Sequence, residues 1–452
     1  MTQSIFQFLL LSILFMLLVQ NSVHGNDISL ADSLPAPGNT IRKTPIEHII
    51  VIVQGRHSFD NYFGTFPNAD GFPIGIKVPS NPFSPNNSSL IEPFHIENVK
   101  YYKPKDDPPT YRLSYNNGSM NAFVYANRDD ASNGRNVMGY YDDRDIPYYW
   151  KFASEYVLAQ RFFSPSMRSD LVNSLYAIGA NPLHHLQEVP EKGLDINRTI
   201  FDELETNKIP WKVYVENYSG ISNITSEERK RLFNNIPILA IPRFRDNQSM
   251  ASHLDDLANY YRDIRNNKLP AVNYMYFIKS NDSPTTKVQS GQELVATVVY
   301  SLMKSNYWNN SAVIVVHNEA GGWFDHVKPP INNNTNELNG FRVPAIFISP
   351  YAKQGNIDNH TYDISSVLKF IKTSFGIKAP PDMDNKTNNI IQAFDFTKPP
   401  REPLYLEEIS RETILIRSND INGVNTVYAL SLLVPIIVTI YWYYKKREVK
   451  IS

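Results

Sequence analysis

Residues 46–71 read IEHIIVIVQGRHSFDNYFGTFPNADG, and this stretch decides the architecture. Ile46 to Val53 is a continuous apolar, mostly β-branched run, which suits a strand covered on both faces in the middle of a parallel sheet. The polar residues Gln54 to His57 follow at its carboxyl end, where open α/β sheets bind their ligands. Working outward, Trp211–Val215, Val272–Phe277, Ala312–Val316 and Ala345–Ile348 read as further strands. A helix is expected over Pro147–Gln160, with Asp145 and Pro147 at its start. Ser290-Gly291-Gln292-Glu293 has capping-box spacing and opens a second helix to about Lys304. Asp363 caps a third through Thr373, with Gly376 just beyond its end. Buried strands alternating with helices predict a three-layer α/β/α sandwich around a largely parallel sheet. Residues 317–319 then fall at a strand's carboxyl end beside 54–57, and 66–112, rich in Pro, Asn and Ser, is a loop-rich insertion.

The chain has 452 residues, a net charge of −1 and no cysteine. Disulfides and thiolate metal sites are therefore excluded, and the absence of a concentrated cationic surface argues against nucleic acid as a partner. Residues 1–25 read as an export signal, apolar from Ile5 to Val19, although without Lys or Arg before the run; an uncleaved anchor is the alternative. A leader at 26–43 precedes the body at 44–397, and a polar stalk at 398–426 leads to an apolar segment at 427–444. That segment carries Tyr441-Trp442-Tyr443-Tyr444 and ends on Lys445-Lys446-Arg447, as a membrane span with an aromatic belt and a basic stop does; the alternative is a buried C-terminal helix. With 445–452 as a cytoplasmic tail, the expectation is a single-pass membrane protein with the bulk of the chain extracellular. Asn-x-Ser/Thr sequons, among them Asn87, Asn197, Asn223, Asn281 and Asn385, agree with that orientation.

The string Gln54-Gly55-Arg56-His57-Ser58-Phe59-Asp60-Asn61-Tyr62-Phe63-Gly64 resembles the opening of a bacterial and archaeal phosphoesterase family. That family includes non-haemolytic phospholipases C and acid phosphatases and belongs to the alkaline-phosphatase-like superfamily. Later blocks extend the resemblance over roughly Thr44 to Thr373: Tyr115 to Met120, Met138 to Tyr141, Asp145 to Tyr149, Arg161 to Ser164, Gly321 to Val327 with Pro329-Pro330, and Val343 to Lys353. The resemblance implies an alkaline-phosphatase-like fold and hydrolysis of phosphoric esters by a hydroxyl nucleophile, a metal site and histidines. A fixed cation serves such chemistry by stabilising charge that grows on the phosphoryl oxygens.

Where the family pattern has Gln-Glu-Asn, this chain has Gln54-Gly55-Arg56, so two metal-site positions are lost. At the nucleophile position, ungapped alignment of Met167 to Tyr176 puts Asp170, with Ser169 one place away as the alternative. The family's Tyr-Asp-Glu appears as His317-Asn318-Glu319; a histidine falls at Asp106, and a His-His-Pro segment at Asn281-Asp282-Ser283-Pro284. His360 is offset by one place from a family histidine, and the second has become Ile364. Two readings stay open for Arg56: it bridges Asp170 and Glu319 in place of the metal, or it turns to solvent while Asp170 caps a turn. The candidate ligand-binding residues are Arg56, Asn318, Glu319 and His326, and the candidate catalytic positions are Asp170 and His360. No cofactor is expected at the ancestral positions Gly55, Arg56, Asn318 and Glu319. A rebuilt divalent site of zinc or manganese type would draw on His317, Glu319 and Asp325, with His57 or His360. The expected partners are the membrane and a phosphate ester or phospholipid headgroup. The expected function is a phosphoesterase with impaired catalysis, or a surface binding protein on the same fold.

Overall fold

The computed structural model describes residues 44–96, 102–180, 186, 188–220, 224–332, 336–378 and 387–405. The expected signal, leader, membrane span and tail lie outside them, as does the stalk beyond residue 405. Among the described residues, no helix is long and apolar enough to cross a membrane.

An eight-stranded sheet forms the centre of a mixed α/β fold. Its strands are β1 (His48–Arg56), β2 (Val157–Ala159), β3 (Trp211–Val215), β4 (Leu254–Asp256), β5 (Val272–Tyr276), β6 (Ser311–Glu319), β7 (Ala345–Ile348) and β8 (Asn356–Asp358). Their spatial order is β8-β2-β7-β6-β1-β5-β3-β4. β1 pairs in parallel with β5 and β6, and the remaining pairs are parallel except those of β7, which runs against both β6 and β2. Ile49 to Ile52 are fully buried, so the apolar run lies where its composition put it, and each such side chain contributes roughly 1.5–3 kcal/mol of burial.

Around the sheet lie α1 (Phe59–Phe63), α2 (Pro147–Glu155), α3 (Asp170–Ala177), α4 (Ser226–Asn235), α5 (Val288–Met303) and α6 (Ile364–Ser374). α2 stops short of the expected Gln160. Tyr156 breaks it with an extended φ of −121°, and the buried residues Val157 to Ala159 join the sheet beside β7 and β8 instead. α5 begins before Ser290, whose hydroxyl donates to Lys287 O inside the helix rather than capping its start. α6 begins as expected: Asp363 accepts from Ser365 N, Ser366 completes the capping box, and Gly376 takes φ +68° just beyond the end.

Candidate functional site

β1 and β6 lie side by side with Gln54 opposite His317 and Arg56 opposite Glu319. The two strands therefore deliver a guanidinium and a carboxylate to one point at their carboxyl ends. Three carboxylates hold the guanidinium there. Its Nε lies 3.0 Å from Glu319 Oε1, Nη2 donates to Asp170 Oδ2 at 2.7 Å, and Nη1 donates to Asp106. Asp170 is the first residue of α3, a position that favours an acid near the helix's positive end. Asn318 donates from Nδ2 to Asp170 Oδ1 at 2.6 Å and to Ser174 Oγ at 2.9 Å, and Lys103 Nζ lies 3.1 Å from Asp106.

Glycines permit this convergence. Gly321 and Gly322 turn the chain beyond β6 with φ of +63° and +80°. A Cβ on Gly321 would meet Arg56 Cβ at 2.5 Å, and one on Gly322 would meet Lys105 O at 2.3 Å, so the turn lies directly against Arg56 and the segment bearing Asp106. Gly55 is tighter: a Cβ there would lie 1.8 Å from Asn281 O. The backbone of Asn281 to Ser283 thus occupies the space that any side chain at position 55 would need.

Burial pushes the Glu319 carboxyl well above its ordinary range, and the negative charges of Asp170 and Asp106 add to this against the attraction of Arg56. For Arg56, burial opposes the charge, but Asp170, Glu319 and Asp106 outweigh it and hold the guanidinium ionised. Beneath this cluster the same loop buries Asp282, whose Oδ2 accepts from Tyr149 Oη at 2.8 Å and lies 3.7 Å from His317 Nε2. Burial raises the Asp282 carboxyl well above the ordinary value. It holds His317 well below its own, and lowers His57 to about 4 against the hydrogen bonds to Asp282 O and Asn61.

The raised carboxyl sets a testable sign. The unfolded chain releases the Asp282 proton at the ordinary pH while the folded chain retains it, so stability is lost as pH rises from the ordinary carboxylate range toward the raised folded value. The two histidines act oppositely, but only below about pH 6.5. Thermal unfolding of Asp282→Asn is therefore expected to show a shallower fall in Tm than the wild type as pH rises from the ordinary carboxylate range. An equal fall in both proteins refutes the assignment.

The structure brings Arg56, Asp170, Asn318 and Glu319 together and leaves the other predicted site residues elsewhere. Ser169 turns its hydroxyl to Leu186 O, away from the cluster. His360 pairs with Asp358 at 2.7 Å and is half exposed. His326 Nδ1 pairs with Asp60 Oδ2 at 2.7 Å, and Asp325 faces Arg342 Nε at 3.1 Å. His317, Glu319 and Asp325 do not converge: the first turns to Gly55 O and Asp282, the second to Arg56, the third to Arg342. Asp106 completes the cluster as a third carboxylate, which only the loose alignment of a family histidine had brought into view.

The residues at the Arg56 cluster do not fit a divalent cation, because a permanently charged guanidinium already engages all three carboxylates. Candidate metal-binding groups exist elsewhere among the described residues, at Asp60/Asp325/His326 and His95/Asp142/Asp145. Arg342 fills the first, and Arg144 engages Asp142 in the second.

Beside Arg56 and Asp170 opens a cleft of about 510 Å3, whose lining also includes Lys103, Arg231, Asn318 and Tyr276. This volume lies within the range of small-molecule sites.

Comparison with known proteins agrees with the scaffold. The chain is 26% identical over 425 residues to "Phospholipase C A" of Mycobacterium tuberculosis, covering 81% of this chain and 80% of that one. It is 24% identical over 446 residues to "Non-hemolytic phospholipase C" of Pseudomonas aeruginosa, covering 85% of this chain and 62% of that one. "Non-specific phospholipase C3" of Arabidopsis thaliana is 25% identical over 394 residues, with 74% and 71% covered. Among solved structures, the lipoteichoic acid synthase LtaP from Listeria monocytogenes matches 76% of each chain at a TM-score of 0.39 and 10% identity. A protein in the alkaline phosphatase superfamily from Vibrio parahaemolyticus matches 60% of this chain and 66% of its own at a TM-score of 0.35 and 15% identity. The Phosphoesterase family pattern covers residues 46–378, and the chain belongs to that family of phosphoester hydrolases.

Proposed function

We propose that this chain is a phosphoester-binding member of the family whose hydrolytic activity is impaired, displayed outside the cell on a single C-terminal span. One observation carries the reading: the Arg56 guanidinium is ion-paired with Asp106, Asp170 and Glu319 at the place where hydrolysis calls for a cation. Asp170 stands at the nucleophile position without a hydroxyl, and its carboxylate oxygens are engaged by Arg56 and Asn318. The two histidines nearest in the fold, His57 and His317, are buried beneath the cluster and committed to backbone carbonyls. The cleft retains positive groups, and the names of the relatives point to phosphate esters or phospholipid headgroups as ligands.

The test is hydrolysis of a generic phosphomonoester and a phosphatidylcholine analogue by the purified protein with a panel of divalent metals. No turnover above background is expected with any metal. Metal-dependent turnover that disappears in Asp170→Ala refutes the impaired-enzyme reading. The orientation is tested separately by proteolysis of intact cells, in which an intracellular body would stay uncut.

A further inference from the structure

We infer that the cleft is presented away from the bilayer that anchors the chain, so that its phosphate ester arrives from the surrounding medium and is not a headgroup of that bilayer. The inference rests on the phosphoester-binding, single-span reading and selects among its ligands by source.

The directions of the strands carry the argument. Arg56 and Asn318 lie at the carboxyl ends of β1 and β6, and Asn281, Ser283 and Pro284 of the cleft lining follow β5 at the same edge of the sheet. The last described residues, 401–405, are fixed at the other edge. Trp308, three residues before β6 begins, donates from Nε1 to Arg401 O at 2.9 Å. Arg401 N donates to Pro350 O at 3.0 Å, just past the end of β7. Because β7 runs against β6, that end lies beside the start of β6, where Ser349 Oγ donates to Ser311 O at 2.8 Å. Tyr405 Oη donates to Met303 O at 3.1 Å, at the end of α5. The first described residues enter at this edge too, with Glu47 N donating to Asn310 O at 2.7 Å. An uncleaved N-terminal anchor would therefore draw the same edge towards the membrane.

Magnitudes then set the orientation. β1 and β6 have nine residues each, and strands of that length set the two edges roughly 26 Å apart. A compact body of about 350 residues has a radius of gyration of about 20 Å and measures about 50 Å across. A polar linker of about 20 residues, the length of the stalk expected up to residue 426, spans about 25 Å on average as a coil. Inverting the body draws that linker along its whole height, about twice the mean span. The opposite orientation leaves it relaxed, and Lys103, Lys230 and Arg231 of the lining then face the medium. Charge on the bilayer does not reach them, because screening at physiological salt acts over about 8 Å.

The experiment uses the full-length protein in lipid nanodiscs. The chain has no cysteine, so Glu227→Cys at the cleft and Glu402→Cys at the exit, both exposed, each give a single labelling site. Energy transfer to an acceptor lipid is expected to be several-fold weaker from the label at 227 than from the label at 402. Calorimetric titration with glycerol 3-phosphate is expected to give a Kd that agrees within about twofold between phosphatidylcholine discs and discs containing phosphatidic acid, whose headgroup is a phosphate monoester. Equal transfer from both labels, or a Kd raised several-fold by phosphatidic acid, overturns the inference while leaving phosphoester binding intact. Absence of glycerol 3-phosphate binding in either disc removes the phosphoester-binding reading, and failure of the chain to enter the discs removes the span. In both cases this inference falls with the reading beneath it.

Discussion

Arg56→Met is expected to cost about 3 kcal/mol of stability at neutral pH. Removing one partner from a buried ion pair typically costs about 3–5 kcal/mol. The guanidinium retains 23% side-chain exposure and Asp170 retains 20%, so water screens part of the loss. The larger share comes from Glu319, which is 2% exposed and without the guanidinium stays buried only by taking up a proton. Methionine keeps the aliphatic stem but leaves three carboxylates facing one another. Millimolar manganese is therefore expected to recover part of the lost stability in the variant and to leave the wild type unmoved, because an oxygen-lined acidic site suits a hard divalent ion. Urea denaturation with and without the metal measures both effects. A change within about 0.5 kcal/mol, as at an ordinary surface position, would show that Arg56 is solvated in the folded protein.

The second large effect is at Gly55. Even Gly55→Ala would put a methyl group 1.8 Å from Asn281 O, with the Asn281 carbonyl carbon at 3.0 Å and Ser283 N at 3.2 Å. These are backbone atoms, so rotamer change cannot relieve the clash. The loop must move, and Asp282 moves with it, away from its contact with Tyr149. Overpacking of this kind costs about 1–3 kcal/mol, and more where rigid backbone is the obstacle. Gly55→Glu, which adds a far larger side chain at the same point, is expected to abolish cooperative folding. A soluble, cooperatively unfolding Gly55→Ala with wild-type stability would sink this account.

How much of this was legible beforehand depended on the range of the interaction. β1 and β6 announce themselves by unbroken apolar runs, and the meeting of Arg56 with Glu319 follows once those strands are neighbours in register. Asp170 joins them because α3 begins at the carboxyl end of the same sheet. Asp106 comes from a loop with no periodicity, 50 residues from Arg56 along the chain, and no local pattern marks it. The three-residue strands β2, β4 and β8 are too short for alternation to show, and β2 was absorbed into the end of a helix. The reversed direction of β7 is a property of the connection before it, not of Ala345 to Ile348. Asp325 looked available for a metal because its real partner, Arg342, stands between Phe341 and Val343 in an otherwise apolar stretch, where nothing distinguishes a buried arginine from a solvent-facing one.

That arginine explains an asymmetry in what the chain has retained. Arg342 is fully buried, with Nη2 2.8 Å from Asp60 Oδ1 and Nε 3.1 Å from Asp325 Oδ1, while Nη1 donates to the carbonyls of Asp70 and Gln160. Ser58 donates to Phe324 O at 2.6 Å in the same place. The Ser-Phe-Asp of the opening string, the Phe-Asp-His of the Gly-Gly block and the Arg342-Val343-Pro344 segment are thus three pieces of one interlocked brace, far apart in sequence and inseparable in space. Loss of any one of the three leaves a buried charge in another without its partner, whatever happens at Arg56. Kinship recognised through those blocks is a measure of the brace, and it would read the same in a chain whose chemistry had been exchanged for something else.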